Sequence, residues 1–195
     1  MGDNHTNNDP IIWDDAGLSH DPLAPLIGSR KMENVSDLGE YNCDQVWVSE
    51  WSLYQLLQIA LFDMWLANED RTSNNYNLLY DLRQGRIVSI DYGGIFNSGT
   101  LNYPVSQLTP EDSIITSDLF FRLKYSNLQD VVQRLHIYFL RSVAKCKAIV
   151  QESLDILPEK WKADKTLIEA KLAEVFAVEW VTDTWENFKV LTKGV

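Results

Sequence analysis

The segment from Ser49 to Trp65 constrains this chain more than any other. Trp51, Leu53, Tyr54, Leu56, Leu57, Ile59, Ala60, Leu61, Met64 and Trp65 make a helix that is apolar nearly all round, and a helix of that kind is stable only inside a protein. The rest of the domain must wrap around it. The chain then turns abruptly polar, from Asn68 to Asn77. Two short apolar runs, Leu78-Leu79-Tyr80 and Ile87-Val88-Ser89-Ile90, flank a turn at Gln84-Gly85 and read as a β-hairpin. Asp91-Tyr92-Gly93-Gly94-Ile95-Phe96 closes the second strand.

Downstream the pattern is helical. Residues 97–113, with Gly99, Pro104 and Pro110, read as loop, and 118–126 fit no single element. Val131, Val132, Leu135, Tyr138, Phe139, Val143, Cys146, Ile149 and Val150 recur at helical spacing. They predict a long amphipathic helix over 128–157, ended by Pro158. A final helix is expected from Lys165 to about Phe188, carrying Leu167, Leu172, Val175, Phe176, Trp180 and Trp185. Trp161, Trp180 and Trp185 read as core, or as a face against another lobe. Upstream, Asp3, Asp9, Asp14, Asp15 and Asp21 lie among Asn and Pro with no Lys or Arg. A stretch that can bury so little reads as an acidic, flexible lead-in over 1–25, although Ile11-Ile12-Trp13 would form a strand given a partner. The chain thus divides into that lead-in, one domain over 26–190, and a short tail over 191–195. The fold class is α+β, mostly α-helical, with a small β-hairpin.

Charge and composition narrow the function. Seventeen basic residues stand against 28 acidic ones, a formal charge of −11. That argues against broad attraction to nucleic-acid phosphate or to an anionic membrane, although an acidic decoy that mimics nucleic acid would carry such a charge. No apolar run reaches the ~18 residues of a membrane helix, and the polar, acidic start is not a signal peptide. Cys43 and Cys146 are too far apart for a disulfide framework or a zinc pattern, which points to buried thiols in a cytoplasmic protein. His5, His20 and His136 have no partner at metal-ligand spacing.

The chemistry sits in Asn68-Glu69-Asp70-Arg71-Thr72-Ser73-Asn74-Asn75-Tyr76-Asn77 together with Asp91. An Asp, an Asn five residues later and a second Asp across a hairpin are what a phosphoryl-transfer site needs. One carboxylate accepts the proton of the attacking hydroxyl, while an Asn oxygen and the other carboxylate hold Mg²⁺ against nucleotide phosphates. Gly93 and Gly94 allow a sharp exit after Asp91. Each residue alone is ordinary loop chemistry, because Asp and Asn side chains cap helices and make turns. The set as a whole carries the reading. Arg71 could touch phosphate or form a salt bridge that orients the loop. Asp63, one turn before Ala67 and facing inward, is expected to make a structural hydrogen bond. A metal-dependent nuclease would use the same carboxylates, but the charge disfavours its substrate.

The stretch Leu61-Phe62-Asp63-Met64-Trp65-Leu66-Ala67-Asn68-Glu69-Asp70-Arg71, with Asn75-Tyr76-Asn77-Leu78-Leu79 and Ile90-Asp91-Tyr92-Gly93, resembles the catalytic core of the HipA-like kinase family. The same spacing recurs in phosphoinositide-type lipid kinases and in protein kinases. Leu157-Pro158 through Trp161 and the Phe176–Trp180 segment resemble that family's C-terminal helices, so the resemblance covers roughly residues 26–190. It implies a kinase large lobe in which Asp70 is the catalytic aspartate. Asn75 and Asp91 would be the metal ligands, and Asn75, Asp91 and Arg71 the nucleotide-binding residues. ATP and Mg²⁺ are the implied cofactors and a protein Ser or Thr the implied acceptor. Family toxins of this type act on translation components, which links the resemblance to toxin–antitoxin systems. The family's small lobe, with its phosphate-covering loop and phosphate-pairing lysine, has no counterpart here. The first lysine is Lys31, after Gly28-Ser29-Arg30, with no strand-Gly-loop-strand pattern before it. Full activity is therefore expected only with a small lobe from another chain. The alternative is a non-catalytic, kinase-like binding module that dimerises or captures a partner through the uncovered apolar face.

Overall fold

The computed structural model describes residues 32–39, 49–72, 74–99, 101–123 and 128–194. The lead-in expected over 1–25, and Cys43, lie outside them. The long apolar helix forms as anticipated: α1 spans Glu50–Leu66, and its N-cap Ser49 accepts a hydrogen bond from the Ser52 amide at 3.1 Å. Leu53, Leu56, Leu57, Ala60, Leu61, Met64 and Trp65 are all buried. The helix packs against α3 (Asp118–Leu123), α4 (Leu128–Asp155), α6 (Val178–Lys193) and strand β3 (Arg86–Ser89), so neighbours cover most of it, while Trp51 and Phe62 stay exposed.

The hairpin pairs β2 (Leu78–Asp81) with β3 in antiparallel register, Leu78 opposite Ser89 and Tyr80 opposite Ile87. Gly85 takes the left-handed conformation that closes the turn (φ 61°). Asp81 fixes the turn by accepting the amides of Arg83 and Gln84 at 3.0 and 2.9 Å. A third strand, β1 (Val35–Asp37), adds to the other edge of β2 and gives a three-stranded antiparallel sheet. The observed class is the expected one, mostly helical α+β. Among the described residues no helix is long and apolar enough to cross a membrane.

The final helix differs from expectation. It breaks into α5 (Lys165–Val175) and α6, with extended backbone at Ala177. No Pro or Gly marks the break, but geometry demands it. At 100° per residue, Leu172, Val175 and Phe176 fall on one side of a straight helix and Val181, Trp185 and Phe188 on the other. The break turns both sets to the same core, where Val175 and Phe188 have no exposure. Two hydrogen bonds lock it: Trp65 Nε1 donates to the Val175 carbonyl at 2.7 Å, and Trp180 Nε1 donates to the Trp65 carbonyl at 2.8 Å. Helix α6 runs to Lys193 with Thr192 buried, so the expected tail over 191–195 begins inside a helix.

Candidate active site

The C-terminus of α1 aims the polar loop. Ala67 caps the helix in left-handed conformation (φ 48°), and the Asn68 amide donates to the Asp63 carbonyl at 2.9 Å. The chain then reverses, and the Glu69 amide donates to the Gly94 carbonyl at 3.1 Å. This joins the loop to the segment after Asp91. A methyl group on Gly94 would lie 2.6 Å from Asp70 Cβ and 2.8 Å from the Asp70 amide nitrogen, so glycine is required there for close approach. Gly94→Ala is expected to cost about 1–3 kcal/mol through overpacking, measurable by denaturant unfolding; a change below a few tenths would mean that the two segments separate freely.

Arg71 is the hub of the loop and has no exposed surface. Its Nε donates to Asp63 Oδ2 at 2.7 Å and its Nη1 to the carbonyls of Tyr76, at 2.8 Å, and Asn77. Its Nη2 donates to the Ile90 carbonyl at 3.2 Å, and the guanidinium lies 5.2 Å from the centre of the Tyr92 ring. One side chain thereby binds together α1, the loop and the end of β3. Asp63 also accepts from Asn68 Nδ2 at 2.8 Å. Burial pushes the Asp63 carboxyl up to about 6, against the pull of Arg71 and Asn68; it is ionised at neutral pH. Burial also raises the Tyr92 hydroxyl, which is bonded to Ser89. Asp63 makes the structural contact expected of it. Of the two roles the sequence left open for Arg71, phosphate contact as a nucleotide-binding residue and a loop-orienting salt bridge, the structure shows the salt bridge, with the guanidinium enclosed, because a buried guanidinium is stable only when its donors are satisfied from within.

Asp70 is half-buried at the mouth of this loop. Its Oδ1 accepts from Asn75 Nδ2 at 3.0 Å and its Oδ2 from Asn77 Nδ2 at 3.1 Å. A bridge between Thr72 and Asn75 closes the loop and turns Asn75 back toward Asp70. With its Nδ2 so committed, Asn75 retains an oxygen that accepts no hydrogen bond among the described residues. Asp91 is exposed, in left-handed conformation (φ 55°), with Oδ1 accepting the Gly93 amide at 3.1 Å. It rides on a segment tied to the loop at both ends, through Ile90 to Asn77 and Arg71 and through Gly94 to Glu69. Asp70 and Asn75 are directly bonded, and Asp91 lies three residues before Gly94, the residue that meets Asp70.

The donor chemistry fits a hard divalent cation. An amide oxygen and an exposed carboxylate suit Mg²⁺, which takes few protein ligands and completes its shell with water and phosphate oxygens. Among the described residues no cluster of three or more His, Cys, Asp or Glu side chains could hold a metal alone, so an ion here must bring further ligands with it.

Sequence reasoning missed several contributors. Asn77 stands in the polar run and in the stretch that carries the resemblance, but the sequence gives it no role of its own. Glu69 accepts from Asn97 Nδ2 at 2.9 Å and from the Ser98 hydroxyl at 2.7 Å. It thereby holds the left-handed turn Phe96–Ser98 inside α2 (Ile95–Gly99), a conformation costing ~1–2 kcal/mol per non-glycine residue. Further along, Glu174 accepts the Val105 amide at 2.7 Å and pairs with buried Lys171, anchoring the segment around Val105 to α5. Only Gly94 and the density of Asn in 68–77 gave any signal of these contacts.

A family model described as HipA-like kinase matches residues 23–188, most of the chain. No curated protein and no solved structure matches.

Proposed function

The chain belongs to the HipA-like kinase family, and from that premise we propose that it transfers the γ-phosphoryl group of ATP, with Mg²⁺, to the hydroxyl of a protein Ser or Thr. The observation that carries this reading is the Asp70 carboxylate, held by the side-chain amides of Asn75 and Asn77, with Asp91 exposed on the segment that Gly94 joins to Glu69. Asp70 takes the proton as the acceptor oxygen bonds to the γ-phosphorus and the bond to the β-phosphate oxygen breaks, releasing ADP. Asn75 and Asp91 would hold Mg²⁺, which neutralises charge on the phosphates. Arg71 acts one step back, fixing the loop that carries Asp70 and the strand end that carries Asp91.

The reading includes a small lobe that covers the nucleotide phosphates. Arg71, the cation of the loop, is enclosed in its own bonds, and covering the γ-phosphate needs donors from elsewhere. Positioning and charge stabilisation supply most of the rate in phosphoryl transfer, so without those donors transfer is expected to be slower by several orders of magnitude. Mg²⁺-dependent movement of label from γ-labelled ATP to Ser or Thr of a protein acceptor, lost in Asp70→Ala, supports the proposal. Turnover that survives Asp70→Ala contradicts it.

One observation favours a second reading, a non-catalytic binding module. A groove of about 380 Å³ between α1 and α4 is lined by Ile59, Phe62, Tyr92, Leu135, Tyr138 and Phe139, and Tyr138 is 51% exposed. Concentration-dependent self-association without any affinity for Mg-ATP would favour that reading.

A further inference from the structure

Asn77 touches Asp70 but has no part in the metal or proton chemistry assigned to Asp70, Asn75 and Asp91. Its backbone is fixed independently of its side chain. The residue is left-handed (φ 45°), and its carbonyl accepts the Ile90 amide at 2.9 Å and Arg71 Nη1. Nothing in that backbone role requires an amide side chain; glycine would serve the left-handed conformation better. The side chain nevertheless reaches Asp70, donating to Oδ2 at 3.1 Å and to the Asp70 carbonyl at 3.4 Å. Asn75 makes the mirror-image contacts, to Oδ1 and to the same carbonyl, both at 3.0 Å.

We propose that Asn77 is a positioning residue for phosphoryl transfer, holding Asp70 Oδ2 from the β3 side while Asn75 holds Oδ1. The inference rests on the phosphoryl-transfer reading. The two amides are not equivalent within it. Asn75 serves both Asp70 and the cation, so a shift of Asn75 toward the cation would rotate a carboxylate that it held alone. Asn77 is tied to the end of β3 through Ile90 and Arg71 and keeps the other oxygen in place. A carboxylate has about four lone-pair sites, so two donors still leave room to accept the hydroxyl proton.

Asn77→Gly removes the donor and preserves the backbone, so it separates positioning from folding. At saturating Mg-ATP its turnover, read as ADP release, is expected to fall about 10- to 100-fold, the scale of a misplacement near 1 Å. KM for Mg-ATP and the melting temperature should be unchanged. In an Asp70→Asn background the same substitution should cause no further loss, because the side chain acts only through Asp70. Equal turnover in Asn77→Gly and wild type overturns the proposal, as does an equal loss in both backgrounds. A second measurement is independent of activity: the side-chain amide signals of Asn75 and Asn77 in a ¹H–¹⁵N spectrum should both move in Asp70→Ala. An unmoved Asn77 signal overturns the contact itself. A wild-type chain that fails to bind Mg-ATP while both signals move refutes the phosphoryl-transfer reading and leaves the hold on Asp70 standing.

Discussion

Asp63→Ala is expected to destabilise the fold by about 3–5 kcal/mol, the cost of breaking a buried ion pair by removing one partner. Arg71 keeps its charge under all ordinary conditions, and it is wholly enclosed. Without Asp63 its Nε loses a 2.7 Å acceptor, and Asn68 Nδ2 loses one at 2.8 Å. A buried donor left without a partner costs about 1–3 kcal/mol, and the void left behind adds to that. Asp63→Asn keeps the shape and one acceptor, so it should lose less than alanine does. Equilibrium unfolding in denaturant measures both. A loss below about 1 kcal/mol for Asp63→Ala would mean that the loop does not depend on this pair.

The pH dependence has a definite sign. Burial raises the folded-state Asp63 carboxyl to about 6, above an unfolded carboxylate, so the folded chain binds this proton more tightly. The cost of ionising Asp63 is therefore fully present above pH 6 and fades as pH falls toward the unfolded value. Its contribution to global stability rises on acidification. Below pH 6, however, Arg71 loses its counter-charge, and the loop that it fixes should loosen. Affinity for Mg-ATP should fall across that range while the contribution of Asp63 to melting does not.

The second large effect separates the two acidic residues of the site. Asp70→Ala should retain Mg-ATP binding and lose transfer by about 10²–10⁴-fold, the range for removing a positioned general base. Asp70 is bonded to the two asparagines and is not needed as a metal ligand. Asp91→Ala should lose Mg-ATP binding outright, because it removes the one charged ligand proposed for the cation. The split is the informative outcome. Equal loss of binding in both variants would indicate a collapsed loop, and melting curves would detect it. Wild-type transfer in either variant would remove that residue from the site.

Much of this was legible in the sequence because it depended on local pattern. The apolar circumference of α1 required burial, and Gly85 between two apolar runs required a turn. Of the Asp–Asn–Asp set, Asp70 and Asn75 are bonded to each other. The illegible part depended on tertiary direction. The break at Ala177 has no helix-breaking residue; it comes from which side of the helix must meet the core. Three residues of β1 are too few to show a period. For Arg71 the sequence left phosphate contact and a loop-orienting salt bridge both open, and only its partners, spread from Asp63 to Tyr92, explain its burial. The left-handed turn at Phe96–Ser98 has no glycine to announce it and is held by Glu69, far earlier in the sequence.

Calorimetric titration of the chain with ATP, with and without Mg²⁺ and repeated on Asp91→Ala, decides whether Asn75 and Asp91 form a nucleotide site. Saturable binding that requires Mg²⁺ and disappears in the variant is the predicted result. Absence of heat at millimolar ATP, or binding that Asp91→Ala retains, would contradict a nucleotide site built on Asn75 and Asp91.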